Sequence, residues 1–115
     1  MGSSAKGVLF YGIVVVKEEV YESNKEKMEE EWSEEEIIED VLEELKCGLN
    51  ISEIGFSGYG STIIYSGIIT ATYDETVEIK DLKIDKKLDD KFRSVCEKLG
   101  ITYEQPKWLL SSYNY

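Results

Sequence analysis

An α+β domain built on one antiparallel sheet is what the sequence predicts, and three observations predict it. Two runs, 8–16 and 61–73, are rich in β-branched and aromatic residues and lack a helical period. Two others, 34–46 and 88–99, place apolar residues at helical spacing. Between the two helical runs lie two strand-like segments separated by glycines.

Residues 8–16, VLFYGIVVV, are apolar on both alternating faces and suit a central strand, with an extension toward Tyr21. Ser23 followed by Glu26 is one capping-box spacing, which makes 24–32 a candidate helical turn with Met28 and Trp32 on one face. Ser33 followed by Glu36 is a second and better one, because Trp32 before it can staple onto Ile37. Ile37, Ile38, Val41, Leu42 and Leu45 then form one stripe, and Gly48 fits the position just past the helix end. NISEIGF after Gly48 is a short strand candidate, and STIIYSGIITATY a longer one. In 76–84 the alternation of Val77 and Ile79 slips before Leu82 and Ile84, which reads as an extra strand with a bulge or as an extended connection. A second helix carries Leu88, Phe92, Val95, Cys96 and Leu99 and ends at Gly100. Pro106 opens a last short strand, KWLLSSY.

The resulting order is that of the split βαβ, or ferredoxin-like βαββαβ, pattern with two helices. Its first and third strands should be central, and these are the longest apolar runs. A single domain is expected over 8–115, preceded by a disordered or scar-like stretch at 1–7. Two helices cover only one face of such a sheet. The other face therefore calls for a cover: the 20–32 segment, a second copy of the chain in a homodimer, or a partner.

The stretch GFSGYGS, Gly55 to Ser61, is the most motif-like part of the chain. A phosphate loop would need a lysine and a helix behind its amides. This loop has no lysine and leads into a strand, so it reads as a hairpin turn in which glycine supplies positive φ. Phe56 and Tyr59 at its tip are candidates for a contact role.

Composition narrows the chemistry further. The chain has 42% hydrophobic and 32% charged residues, as a globular protein does. No histidine occurs, which removes Ser–His–Asp and Cys–His nucleophile systems and every histidine-containing metal site. Cys47 and Cys96 are far apart without a CxxC spacing and read as reduced thiols. The longest apolar run is too short to span a bilayer, and a cytoplasmic location is expected without a signal-peptide pattern. No cofactor motif, DxDxDG metal loop or catalytic constellation is found. With a single arginine and no basic stripe, direct nucleic-acid binding is disfavoured.

The net charge is −11, and its distribution says more than its size. Fourteen of the 24 acidic residues but only two of the 13 basic ones lie between Glu18 and Glu44. That 27-residue segment carries −12 and the remainder +1. Within the helix, like charges four residues apart repel, each pair costing about 0.2–0.5 kcal/mol. Three uses of such a face are open: a solvated surface that confers solubility, a docking surface for a basic partner, or divalent-cation binding, which without a DxDxDG spacing is at most weak and non-specific. The candidate contact residues are Glu29, Glu30, Glu31, Glu35, Glu39, Asp40, Glu43 and Glu44.

This combination of short length, no histidine, one acidic patch and no catalytic motif is similar to small accessory proteins of phages and mobile elements, of the anti-CRISPR and anti-restriction type. The ending LGITYEQPKWLLSSYNY gives the same impression. The resemblance is compositional and covers mainly 18–44. It implies a non-enzymatic inhibitor, acting in the host cytoplasm by mimicking nucleic-acid charge against the basic surface of a nucleic-acid-binding defence protein. A different class is the alternative: a ligand-binding or sequestering module, its site on the open sheet face with Tyr11, Tyr65 and the Gly58–Tyr59 tip.

Overall fold

Each of the two long apolar runs becomes a central strand. A computed structural model describes residues 5–54, 61–72, 75–79 and 86–114. In chain order its elements are β1 (Ala5–Val15), α1 (Lys17–Ser23), α2 (Lys25–Glu29), α3 (Glu34–Leu45), β2 (Asn50–Ile54), β3 (Ser61–Thr72), α4 (Lys86–Leu99) and β4 (Lys107–Asn114). The four strands form one sheet in the order β2-β3-β1-β4, with every neighbouring pair antiparallel. The first and third strands are thus central, as their apolar length requires.

Several expectations need correction. β1 starts at Ala5, inside the stretch expected to be disordered, and pairs from there with β4. It also stops at Val15 instead of running on toward Tyr21. The polar Lys17-Glu18-Glu19 cannot continue a doubly buried strand, and its two carboxylates sit well in the first turn of α1. The described residues hold four helices, not two. Residues 75–79 form no strand, with Val77 and Ile79 exposed; the remainder of the 76–84 segment, like the Phe56–Tyr59 tip, lies outside the described residues.

α1 and α2 exist because their junction is fastened to the end of α4. Ser23 does not cap α2; its Oγ donates instead to the Gly100 carbonyl at 2.6 Å. Asn24 Nδ2 donates to the carbonyls of Val20 and Leu99 at 2.8 and 2.9 Å, satisfying terminal carbonyls of two helices at once. Glu19 accepts from the Thr102 amide and hydroxyl at 3.2 and 2.6 Å. Gly100 is required twice over: its φ is +76°, and a Cβ there would lie 2.7 Å from Ser23 Cβ.

The core lies between the sheet and the helices, where Tyr11, Ile13, Val15 and Ile64 meet Val20, Ile37, Ile38, Val41, Phe92, Val95 and Leu99. Met28 and Trp32 pack against this same cluster, so the 20–32 segment belongs to the helical layer and does not cover the opposite sheet face. On that opposite face Val8, Phe10 and Ile63 form a second cluster with Tyr65 and Leu109. They are 1–2% exposed in the single chain, so their burial needs no second copy. A bulge interrupts the β1–β3 ladder between Tyr11 and Gly12, leaving Ser66 as the extra residue of β3. Gly12 permits the close approach there, since a Cβ would fall 1.9 Å from the Ile64 carbonyl oxygen.

Candidate functional site

The acidic segment folds into two helices and a sharp corner. α2 ends in a Schellman arrangement: the Trp32 amide donates to the Lys27 carbonyl and the Glu31 amide to that of Met28, both at 3.1 Å. Its left-handed residue is Glu31, at φ 68°, where glycine is usual. A side chain in that region costs roughly 1 kcal/mol. Glu29, Glu30 and Glu31 are all exposed at this corner.

α3 then starts on the expected capping box. Ser33 Oγ accepts from the Glu36 amide at 3.2 Å, and Glu36 accepts from the Ser33 amide at 3.4 Å. The helix has no basic residue in its last turn. Lys46, not Gly48, takes the left-handed position that ends it, at φ 49°. Ile37, Ile38, Val41 and Leu42 are buried, which sends Glu36, Glu39 and Glu43 to the opposite, solvent-facing stripe.

The eight predicted contact residues divide into two groups. Asp40 pairs with Lys27 Nζ at 3.4 Å, and Glu44 with Lys98 Nζ at 3.2 Å. Glu35 turns toward β2, where Glu53 lies between it and Lys17, whose Nζ is 3.1 Å from Glu53 Oε1. These three carboxylates serve the domain itself. Glu29, Glu30, Glu31, Glu39 and Glu43 make no ion pair among the described residues.

Among the described acids, the Glu35–Glu53 contact is where titration is clearly perturbed. The hydrogen bond that protonated Glu35 donates to Glu53, then partial burial and repulsion, raise Glu35 from its ordinary value. Glu53 is lowered by its hydrogen bond with Glu35 and then by that with Lys17, with Thr62 Oγ1 donating at 3.4 Å. Lys17 is raised in turn, chiefly by its bond to Glu53. Glu53 and Lys17 escaped the sequence reading because they lie 18 residues from Glu35 on either side. Only their meeting at the end of the sheet reveals them. The signal available in the sequence was Glu53 at a position sharing the face of Ile51, an acid on the covered side of an edge strand.

Tyr11 and Tyr65, paired in the alternative ligand site, stand on opposite faces of the sheet. Tyr11 packs edge-on against Phe92 of α4, whereas Tyr65 packs against Phe10 on the other side. Cys96 is buried, which pushes its thiol up, and Cys47 is half-buried; both are free. Among the described residues no three acidic or thiol groups converge as a metal ion would need, and no helix is long and apolar enough to cross a membrane. No family model matches the chain, and neither a curated protein nor a solved structure is significantly similar to it.

Proposed function

We propose that this is a non-enzymatic interaction protein that docks its acidic corner and helix stripe on the basic surface of a nucleic-acid-binding protein. The contact set is Glu29, Glu30 and Glu31 of the corner with Glu39 and Glu43 of α3. One observation carries this reading: these carboxylates make no ion pair among the described residues, although the fold accepts strain and self-repulsion to keep them. Glu31 occupies a glycine conformation, and the α3 stripe repels itself along its length. Carboxylates one helical turn apart stand about 6 Å from each other, comparable with successive phosphates of one strand. Such a surface can occupy a groove that normally recruits nucleic acid. The similarity to small phage proteins adds the biological setting: inhibition of a host nucleic-acid-binding defence system in the bacterial cytoplasm.

The fold supports a ferredoxin-like reading through its central β1 and β3, each followed by a helical crossover. The α1–α2 pair is an addition to that pattern, and it supplies the acidic corner.

The test is capture from bacterial lysate on the immobilised protein at low salt, followed by competition with duplex DNA. A basic nucleic-acid-binding protein should bind, be released by salt, and be displaced by DNA. The double variant Glu39→Lys/Glu43→Lys should lose it, while Asp40→Asn/Glu44→Gln should retain it. Capture indifferent to salt, or lost equally in both variants, would remove the proposal.

A further inference from the structure

We infer that the cleft between the sheet, α4 and the turn after α3 binds a small aromatic anion. It holds about 370 Å³ and is lined by Tyr11, Ser66, Gly67 and Trp108 of the sheet, Leu88 and Lys91 of α4, and the turn after α3. Four features define the occupant, and none depends on the acidic surface.

First, the Tyr11 hydroxyl is buried and has no hydrogen-bond partner among the described residues, in a side chain only 3% exposed. Buried hydroxyls are nearly always satisfied, so a missing partner at a cleft wall points to a polar atom of a ligand. Second, the walls are aromatic: the Tyr11 and Trp108 rings lie 5.3 Å apart at 55°. Third, the floor is bare backbone. Gly67 sits opposite Tyr11 at the bulge, and the space its missing side chain leaves is bounded by Tyr11 and Trp108, each 3.9 Å from where a Cβ would stand. A flat ring can lie on that floor. Fourth, among the described residues that line this cleft none is acidic, and Lys91 is the one that is charged. Against a net charge of −11, a ligand anion finds its local countercharge here. Bulges of this kind are common beside binding sites because they re-aim strand residues.

The probe is 2-naphthoate, titrated into the ¹⁵N-labelled protein, with 2-naphthylmethylamine as the cationic counterpart. Saturable shifts should appear at the Gly67 amide, the Trp108 indole N–H and Lys91, and the amine should bind at least about tenfold more weakly. Tyr11→Phe should weaken naphthoate about tenfold while keeping its melting temperature, because it removes a hydroxyl that the free protein leaves unpaired. Lys91→Gln, a surface change, should weaken naphthoate and strengthen the amine, bringing the two affinities together. Gly67→Val should abolish binding of both. Absence of shifts at the cleft, equal affinity for acid and amine, or undiminished binding by Tyr11→Phe overturns the inference.

Discussion

Helices α3 and α4 lie side by side on one sheet face and solve the same packing problem, yet they treat charge in opposite ways. α3 buries Ile37, Ile38, Val41 and Leu42, and α4 buries Phe92, Val95, Cys96 and Leu99. Over its twelve residues α3 carries seven acidic side chains and no basic one. α4 carries five basic and three acidic residues, and ties Arg93 to Asp89 one turn earlier at 3.2 Å. Arg93 also lies 4.1 Å over the Tyr103 ring, so its charge is used twice within the domain. The apolar stripe alone is enough to dock a helix, and the solvent side is free to vary. In α4 that side mixes both signs, to a net +2, while in α3 one sign accumulates.

The shared half of the comparison carries the largest expected effect. Phe92→Ala and Ile38→Ala each empty a fully buried site between helix and sheet. Losses of about 3–5 kcal/mol for the first and about 2–5 kcal/mol for the second are expected in urea unfolding. Comparable losses would show that the two helices share one cooperative core. A small loss at Ile38 with a large one at Phe92 would make α3 an appendage whose acidic face is only loosely held.

The apolar half of this architecture was legible in the sequence and the polar half was not. Strand runs, helix stripes and the Ser33 capping box all express short-range periodicity, which one sequence displays directly. α1 was missed because seven residues contain a single buried position, Val20, too few to show a period. Ser23 was misassigned because its partner, the Gly100 carbonyl, lies 77 residues away. The acidic patch was found, but its division was not. Lys27 and Lys98 withdraw Asp40 and Glu44 from it, and Glu53 withdraws Glu35, through contacts that depend on how helices and sheet edge meet. The Tyr11–Trp108 cleft was hidden for a related reason: a one-residue bulge brings Gly67 opposite Tyr11.

A smaller effect tests whether α3's side of the comparison is maintained against the fold's own interest. Glu31→Gly places the usual residue at the left-handed end of α2 and removes one charge from the corner. Relief of the strained φ should stabilise the folded chain by about 1 kcal/mol, less the entropy gained by an unfolded glycine, for a net gain of a few tenths. Capture of the basic partner should weaken at the same time. Stability and binding moving in opposite directions would mark the residue as kept for its charge. A loss of stability would mean that the Glu31 side chain supports the corner.

The smallest effect lies where α3 meets the sheet, and its sign depends on pH. Glu35 is raised in the folded state, so its protonated form is the favoured one there. Its contribution is fully present below the unfolded carboxylate range and is lost as pH rises through the folded value. At pH 7 it is ionised beside Glu53 and works against folding. Glu53 is lowered, so it contributes above the unfolded range and loses that contribution as pH falls through its own folded value. Lys17 is raised and stays charged across both windows. Glu35→Gln keeps a hydrogen-bond donor for Glu53 without the charge. It should therefore stabilise at pH 7 by about 0.2–0.5 kcal/mol, a modest figure because the Glu53 and Lys17 side chains are 44% and 43% exposed. Near pH 4, where Glu35 already holds its proton, the gain should vanish. Unfolding curves at the two pH values measure the difference, and a gain that persists at pH 4 would show that Glu35 repels its α3 neighbours more than it engages Glu53.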